Sequence, residues 1–269
     1  MTASVEFVSA FNRHYYRRYA RKMLRGFLEH VDRAIPMRFY CEASGEGLPL
    51  SHYEEVMDPR ISMFDLYETT DVASFLEVAR VKVTEKLGFL LPEDPDERLR
   101  TQRSKGDYAW NAFAYGKKAY AVIHALRNTK ADCLFWIDSD IIFHKPISAE
   151  FMAGLFDGKD VAHFARTYPH TETGFFGLWT ASPRLKYFTR AYASYYEERG
   201  LFALPGWTDC HAFDAALEAA KKHGLTTKNL SPPGMTVGHV IAKSVLAPYL
   251  DHPKGPRKQA GRSHERRVD

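Results

Sequence analysis

Cysteine is scarce in this 269-residue sequence, with only Cys41, Cys133 and Cys210, far apart and without a Cys-x-x-Cys pair. That excludes a disulfide framework and a cysteine zinc site and leaves the three as buried small hydrophobes. No stretch approaches the roughly 18 uninterrupted apolar residues of a membrane span. The opening Met1-Thr2-Ala3-Ser4-Val5-Glu6 lacks a signal peptide's apolar core, so a cytoplasmic protein without integral membrane contact is expected. No Pro/Gly/Ser-rich linker or internal repeat divides the chain. One domain over residues 1–252 is expected, followed by a basic tail over 253–269. Several chemistries are missing too. There is no Gly-x-x-x-x-Gly-Lys-Ser/Thr loop, no Gly-x-Ser-x-Gly elbow and no His-Glu-x-x-His helix. Gly45-Glu46-Gly47 fails as a dinucleotide fingerprint because Leu50 stands where the third glycine belongs. His170-Thr171-Glu172 is not followed by the Pro-Cys-x-x-Cys that a zinc deaminase needs.

What is present is a globular composition, 45% hydrophobic and 26% charged, with a net charge of +4. The charge is placed unevenly. Arg13, Arg17, Arg18, Arg21, Lys22 and Arg25 follow one another with no acidic residue between them, and from Pro253 onward six basic residues face Glu265 and Asp269. Val5–Val8 reads as a strand, and Tyr16, Ala20, Met23, Phe27 and Val31 recur at helical spacing. Met37–Cys41, Cys133–Ile137, Val161–Ala165 and Gly174–Thr180 read as further strands. Helices are expected through Ala119–Leu126, over Leu185–Arg199 and over Cys210–His223. Strands alternating with helices predict an α/β fold with a largely parallel sheet. The polar, turn-rich residues 91–107 have the length of a functional lid, with a solvated excursion as the plain alternative.

The informative segment is Leu134-Phe135-Trp136-Ile137-Asp138-Ser139-Asp140-Ile141-Ile142-Phe143, an apolar strand that ends in two carboxylates. In an extended segment residues i and i+2 share a face, so Asp138 and Asp140 could both reach one divalent cation at the carboxyl edge of the sheet. Hard oxygen ligands suit Mg2+ or Mn2+ and a bound diphosphate. Two solvated loop aspartates are the alternative.

This segment resembles the metal-binding signature of GT-A-fold glycosyltransferases, which use nucleotide-sugar donors. His252-Pro253-Lys254-Gly255-Pro256-Arg257-Lys258 is similar to the His-x-x-Gly-x-x-Lys motif of the glycogenin-like and galactosyltransferase-like group, glycosyltransferase family 8. It departs from that group at Gln259-Ala260, where Pro-Trp is usual. The resemblance implies a GT-A-type Rossmann-like sheet, a UDP-sugar donor and retention of anomeric configuration. His252 would join Asp138 and Asp140 as a metal ligand, with His239 as the alternative; Gly255 would admit the phosphates, and Lys258 would neutralise the leaving diphosphate. Ser9, at the end of the first strand, would lie near the base. Lys117 and Lys118 would meet donor phosphates, with one of the two expected to be merely solvated. Ser139 belongs to the same donor site.

Glu172 and Asp209 are the candidates for sugar-hydroxyl contacts or acceptor activation, with a helix N-cap as the alternative for Asp209. Trp207 offers a stacking face or simple packing. For the acceptor, the basic segments and the aromatic content of 14% suit a polyanion. The chain resembles soluble phage glycosyltransferases that modify hydroxymethylated pyrimidines in DNA, which implies a host-cytoplasmic enzyme acting on a flipped base. A cell-envelope glycan, lipid or protein acceptor is the alternative, and a non-enzymatic nucleic-acid-binding protein is the second. The first helix puts His14, Arg18, Arg21 and Arg25 along one stripe, opposite an ordinary core stripe.

Overall fold

The computed structural model describes residues 3–53, 58–89, 92, 107–166, 170–234, 239–254, 258 and 263, with only the backbone of 107 and 108. The strands are β1 Val5–Phe11, β2 Met37–Cys41, β3 Ile61–Asp65, β4 Cys133–Ile137, β5 Ile142–Phe143, β6 Val161–Phe164, β7 Glu172–Trp179, β8 Thr227–Asn229 and β9 Leu250–Asp251. Seven of them form one sheet in the order β3-β2-β1-β4-β7-β6-β8, while β5 and β9 form a two-stranded sheet. The fold is α/β, a mostly parallel sheet flanked by helices.

Alternation along the central strands builds a core on each face. Val8, Tyr40, Leu134 and Trp136 meet the helices Val72–Leu87, Ala112–Asn128, Leu185–Glu197 and Asp209–Lys221. Their neighbours Phe7, Phe39 and Phe135 meet the helix Arg21–His30 and residues 240–250 on the other face. Local signals set the helix ends. Asn111 Oδ1 accepts from Ala114 N at 3.3 Å to cap Ala112–Asn128, and Gly88, at φ +72°, closes Val72–Leu87 in the left-handed conformation.

The largely parallel sheet is as expected, and two details depart from the plain pattern. First, β7 runs antiparallel to both β4 and β6. Only seven residues separate Phe164 from Glu172, too few for the dozen or so that a parallel crossover needs. Second, the first helix is not regular. A turn at Arg13–Tyr15 passes through a π-helical stretch, Tyr16–Ala20, before Arg21–His30 begins, so the basic stripe breaks at Arg21, whose guanidinium lies over the Tyr16 ring. Tyr16, Ala20, Met23 and Phe27 are buried, as their spacing predicts. The strand Ile61–Asp65, the helix Val72–Leu87 and the short β5, β8 and β9 carry no signal strong enough to read from sequence. Most of the 91–107 segment lies outside the described residues.

Among the described residues no helix is long and apolar enough to cross a membrane. Of the basic C-terminal segment, the described Lys258 and Ser263 fold back onto the body. Ser263 is buried, and its N and Oγ donate to Asp251 at 2.6 and 2.7 Å.

Candidate metal and donor site

The fully buried apolar run of β4 stops at Ile137, and the chain turns, with Ile141 N donating to Asp138 O at 3.0 Å. Asp138 and Asp140 therefore lie on a turn and not on the extended segment that their spacing suggests. Their convergence comes from the small sheet. Ile142 pairs with Asp251 and Phe143 with Leu250, which sets His252 beside Asp140. His252 Nε2 lies 2.9 Å from Asp140 Oδ1 and 3.6 Å from Asp138 Oδ2. One ligand atom from each of the three residues lies within 4.8 Å of the others; among the described residues this is the cluster with metal-ligand geometry, and His239 is not in it. The imidazole is 5% exposed and rests against Gly174, where any Cβ would overlap its ring.

The antiparallel β7 contributes to the same place. Because it starts where β4 ends, with Phe175 opposite Ile137, its first residues Glu172 and Thr173 reach the carboxyl edge of the sheet. Glu172 is 5% exposed, faces Lys254, lies 3.3 Å from Arg166 and accepts from Gly174 N at 3.1 Å. Burial alone would raise its pKa, but Lys254, His252 and Arg166 outweigh burial and hold it at about 2. A carboxylate held there is not tuned to take a proton at neutral pH.

Lys118 is buried, and its Nζ contacts Asp209 Oδ2 at 2.7 Å, Asp138 Oδ1 at 3.1 Å and Thr173 O at 2.5 Å. Burial disfavours its charge, but the two aspartates overcome that and raise its pKa. Lys117 pairs with Glu42, so neither lysine is merely solvated. Lys258 pairs with Asp140, and its ammonium sits 5.7 and 5.3 Å from the Tyr15 and Tyr19 ring centroids. Against its own burial, Asp140 keeps it charged. Asp140, in turn, is held well below the usual carboxylate range by His252 and Lys258 in spite of burial.

These groups surround a cavity of about 430 Å³ whose wall includes Ala10, Phe11, Lys117, Ser139, Glu172 and Cys210. The end of β1 lines it from Ala10 onward, whereas Ser9 is fully buried behind the wall. Asp209 also lines it, as the first residue of its helix; Thr208, not Asp209, occupies the N-cap position. Both Asp209 oxygens are engaged, Oδ2 by Lys118 and by Thr173 Oγ1 at 2.7 Å, Oδ1 by Cys210 N at 3.0 Å. Trp207 is packed against Trp110 and Phe202 and offers no stacking face. Cys41 and Cys133 are buried, but Cys210 is only half-buried. Gly255 lies outside the described residues.

Sequence reasoning missed Lys254, Arg166, Glu42 and Trp136. Lys254 sits inside the His252–Lys258 motif, and Trp136, in β4, is two residues before Asp138 at the strand's end, so both had a positional signal. Arg166 and Glu42 had none.

No protein-family model matches the chain, and no curated protein sequence matches it. Among solved structures, mouse xyloside xylosyltransferase 1 in its apo form aligns over 84% of this chain and 85% of its own, at 10% identity and a TM-score of 0.47.

Proposed function

We propose that the chain is a divalent-metal-dependent glycosyltransferase of the GT-A type, resembling family 8, that transfers a hexose from a UDP-sugar to a hydroxyl acceptor with retention. The observation that carries this reading is the convergence of Asp138, Asp140 and His252 on one cavity ringed by Lys117, Lys118, Lys254 and Lys258. The two carboxylates suit Mn2+ or Mg2+, and the added imidazole nitrogen favours Mn2+ of the two. Bound there, the ion would supply positive charge to the diphosphate of the donor and of the departing UDP. The protein's own groups do the rest. Lys258 moves from Asp140 to the diphosphate, Lys117 exchanges Glu42 for a phosphate oxygen, and the β1 end at Ala10 and Phe11 forms the floor under the base. Glu172 and Asp209 accept hydrogen bonds from sugar hydroxyls, a role that for Glu172 agrees with the lowered pKa set by Lys254, His252 and Arg166 against its burial.

For the acceptor, the reading is a hydroxymethylated pyrimidine in DNA, in the manner of phage enzymes. Arg13, Arg17, Arg18, Lys22 and Arg25 are exposed on the segment that follows the cavity-lining Asn12 and itself contains the cavity-lining His14 and Tyr15. A polyanion held along it would lead into the cavity mouth. Among the described residues the exposed large hydrophobics are Val81 and Val245 alone, so this basic face lacks the apolar component of a membrane-surface helix.

The test is UDP release from a panel of UDP-sugars with Mn2+, with and without DNA containing hydroxymethylated pyrimidine. Release that requires the modified DNA supports both donor and acceptor. Release indifferent to DNA overturns the acceptor and directs the search to glycans, lipids or proteins. DNA binding without release from any donor overturns the enzyme. Asp138→Asn and Asp140→Asn should each abolish release while circular dichroism shows the fold retained.

A further inference from the structure

We infer that Trp136, acting with Lys118, is a positioning residue that makes Asp138 offer a single oxygen to the cation position. The inference rests on the metal reading above. Asp138 follows Trp136 by two residues, and the indole returns to it, Nε1 donating to Asp138 Oδ1 at 2.7 Å. Lys118 Nζ binds the same Oδ1 at 3.1 Å. The other oxygen, Oδ2, is the one that faces His252 Nε2 at 3.6 Å. The two carboxylate oxygens are thus divided between two tasks.

The arrangement holding Oδ1 is itself rigid. Trp136 is 3% exposed within the core between the sheet and the helix Ala112–Asn128. Its ring lies under the Lys118 ammonium, 4.8 Å from the centroid, and that ammonium is anchored independently by Asp209 and the Thr173 carbonyl. Two donors on Oδ1, one neutral and one charged, oppose rotation of the carboxylate and compete with any cation for that oxygen. A one-oxygen ligand on a fixed axis follows, whereas a free aspartate on a turn could swing toward Lys258 or chelate through both oxygens. Partners behind a ligand commonly change metal affinity by about 10–100-fold when they are removed.

A merely packed tryptophan would also bring its N–H to a nearby acceptor, and the two roles separate by experiment. Trp136→Phe keeps a ring and removes the donor. Mn2+ binding by the full chain, read from the electron paramagnetic resonance signal of the free ion, should weaken about tenfold in Trp136→Phe. It should stay unchanged in Trp179→Phe, a control whose ring packs on Phe156 away from the cluster. Should Trp136→Phe fail to fold, benzothienylalanine at position 136 preserves the indole's shape without its N–H and should give the same weakening. Wild-type affinity in the donor-less protein, with or without a lowered melting temperature, overturns the positioning role and leaves the metal site standing. A wild-type chain that binds no Mn2+ overturns the metal reading and this inference with it.

Discussion

A histidine deep in a sheet is a titratable group with nowhere to put its charge. His163 on β6 is 5% exposed, lies near the Phe213 ring, and its Nδ1 has no hydrogen-bond partner among the described residues. Burial pushes its pKa down from 6.5 to about 4. Between those values the unfolded chain binds a proton that the folded one does not, so stability is complete above pH 6.5 and falls as the pH drops through the window. The full effect is about 3 kcal/mol, at roughly 1.4 kcal/mol per pH unit. Urea unfolding at pH 7 and pH 4.5 should show this decline in the wild type and a flatter dependence in His163→Phe; equal slopes would contradict it. Individual side chains were unevenly legible in the sequence. Asp138, Asp140 and His252 could be picked out because carboxylates after an apolar strand and a histidine in a spaced motif are rare patterns. Glu42 and Arg166 could not, because a lone charged residue acquires a role only from what the fold brings to it.

Elements show the same division between pattern and context. Strands β2 and β4 and the helix Leu185–Glu197 carry runs or periodicities that only one structure satisfies. The two-residue strands β5 and β9 carry neither, yet their pairing is what delivers His252 to Asp140. The antiparallel β7 could have been read from the short connection that precedes it. The π-helical stretch Tyr16–Ala20 could not, since its side-chain spacing is also that of an α-helix over so few turns. Between the helices Val72–Leu87 and Ala112–Asn128 the contact is set by one glycine. Gly116 is buried, and a Cβ there would overlap the Phe75 ring. Gly116→Ala should lower stability by about 1–3 kcal/mol, the usual range for overpacking. A thermal melt at or above the wild-type midpoint would show that the ring moves aside without strain.

At the scale of the molecule, the balance of +4 conceals a basic face beside a cavity in which acidic and basic groups are paired. If DNA lies along Arg13, Arg17, Arg18, Lys22 and Arg25, neutralising about five phosphates, the logarithm of affinity should fall with that of salt at a slope of about −4.5. Arg17→Ala with Lys22→Ala should reduce that slope by about 2 while UDP affinity is unchanged. A slope that does not change would remove this face from the acceptor site. The central claim concerns the donor and can be met without any acceptor. Calorimetric titration of UDP into the full chain, with Mn2+ and then with the ion chelated, tests it most directly. The account predicts binding that requires Mn2+ and is lost in His252→Ala, while circular dichroism shows that variant folded. UDP binding that is indifferent to the metal, or none under either condition, would contradict the assignment of Asp138, Asp140 and His252.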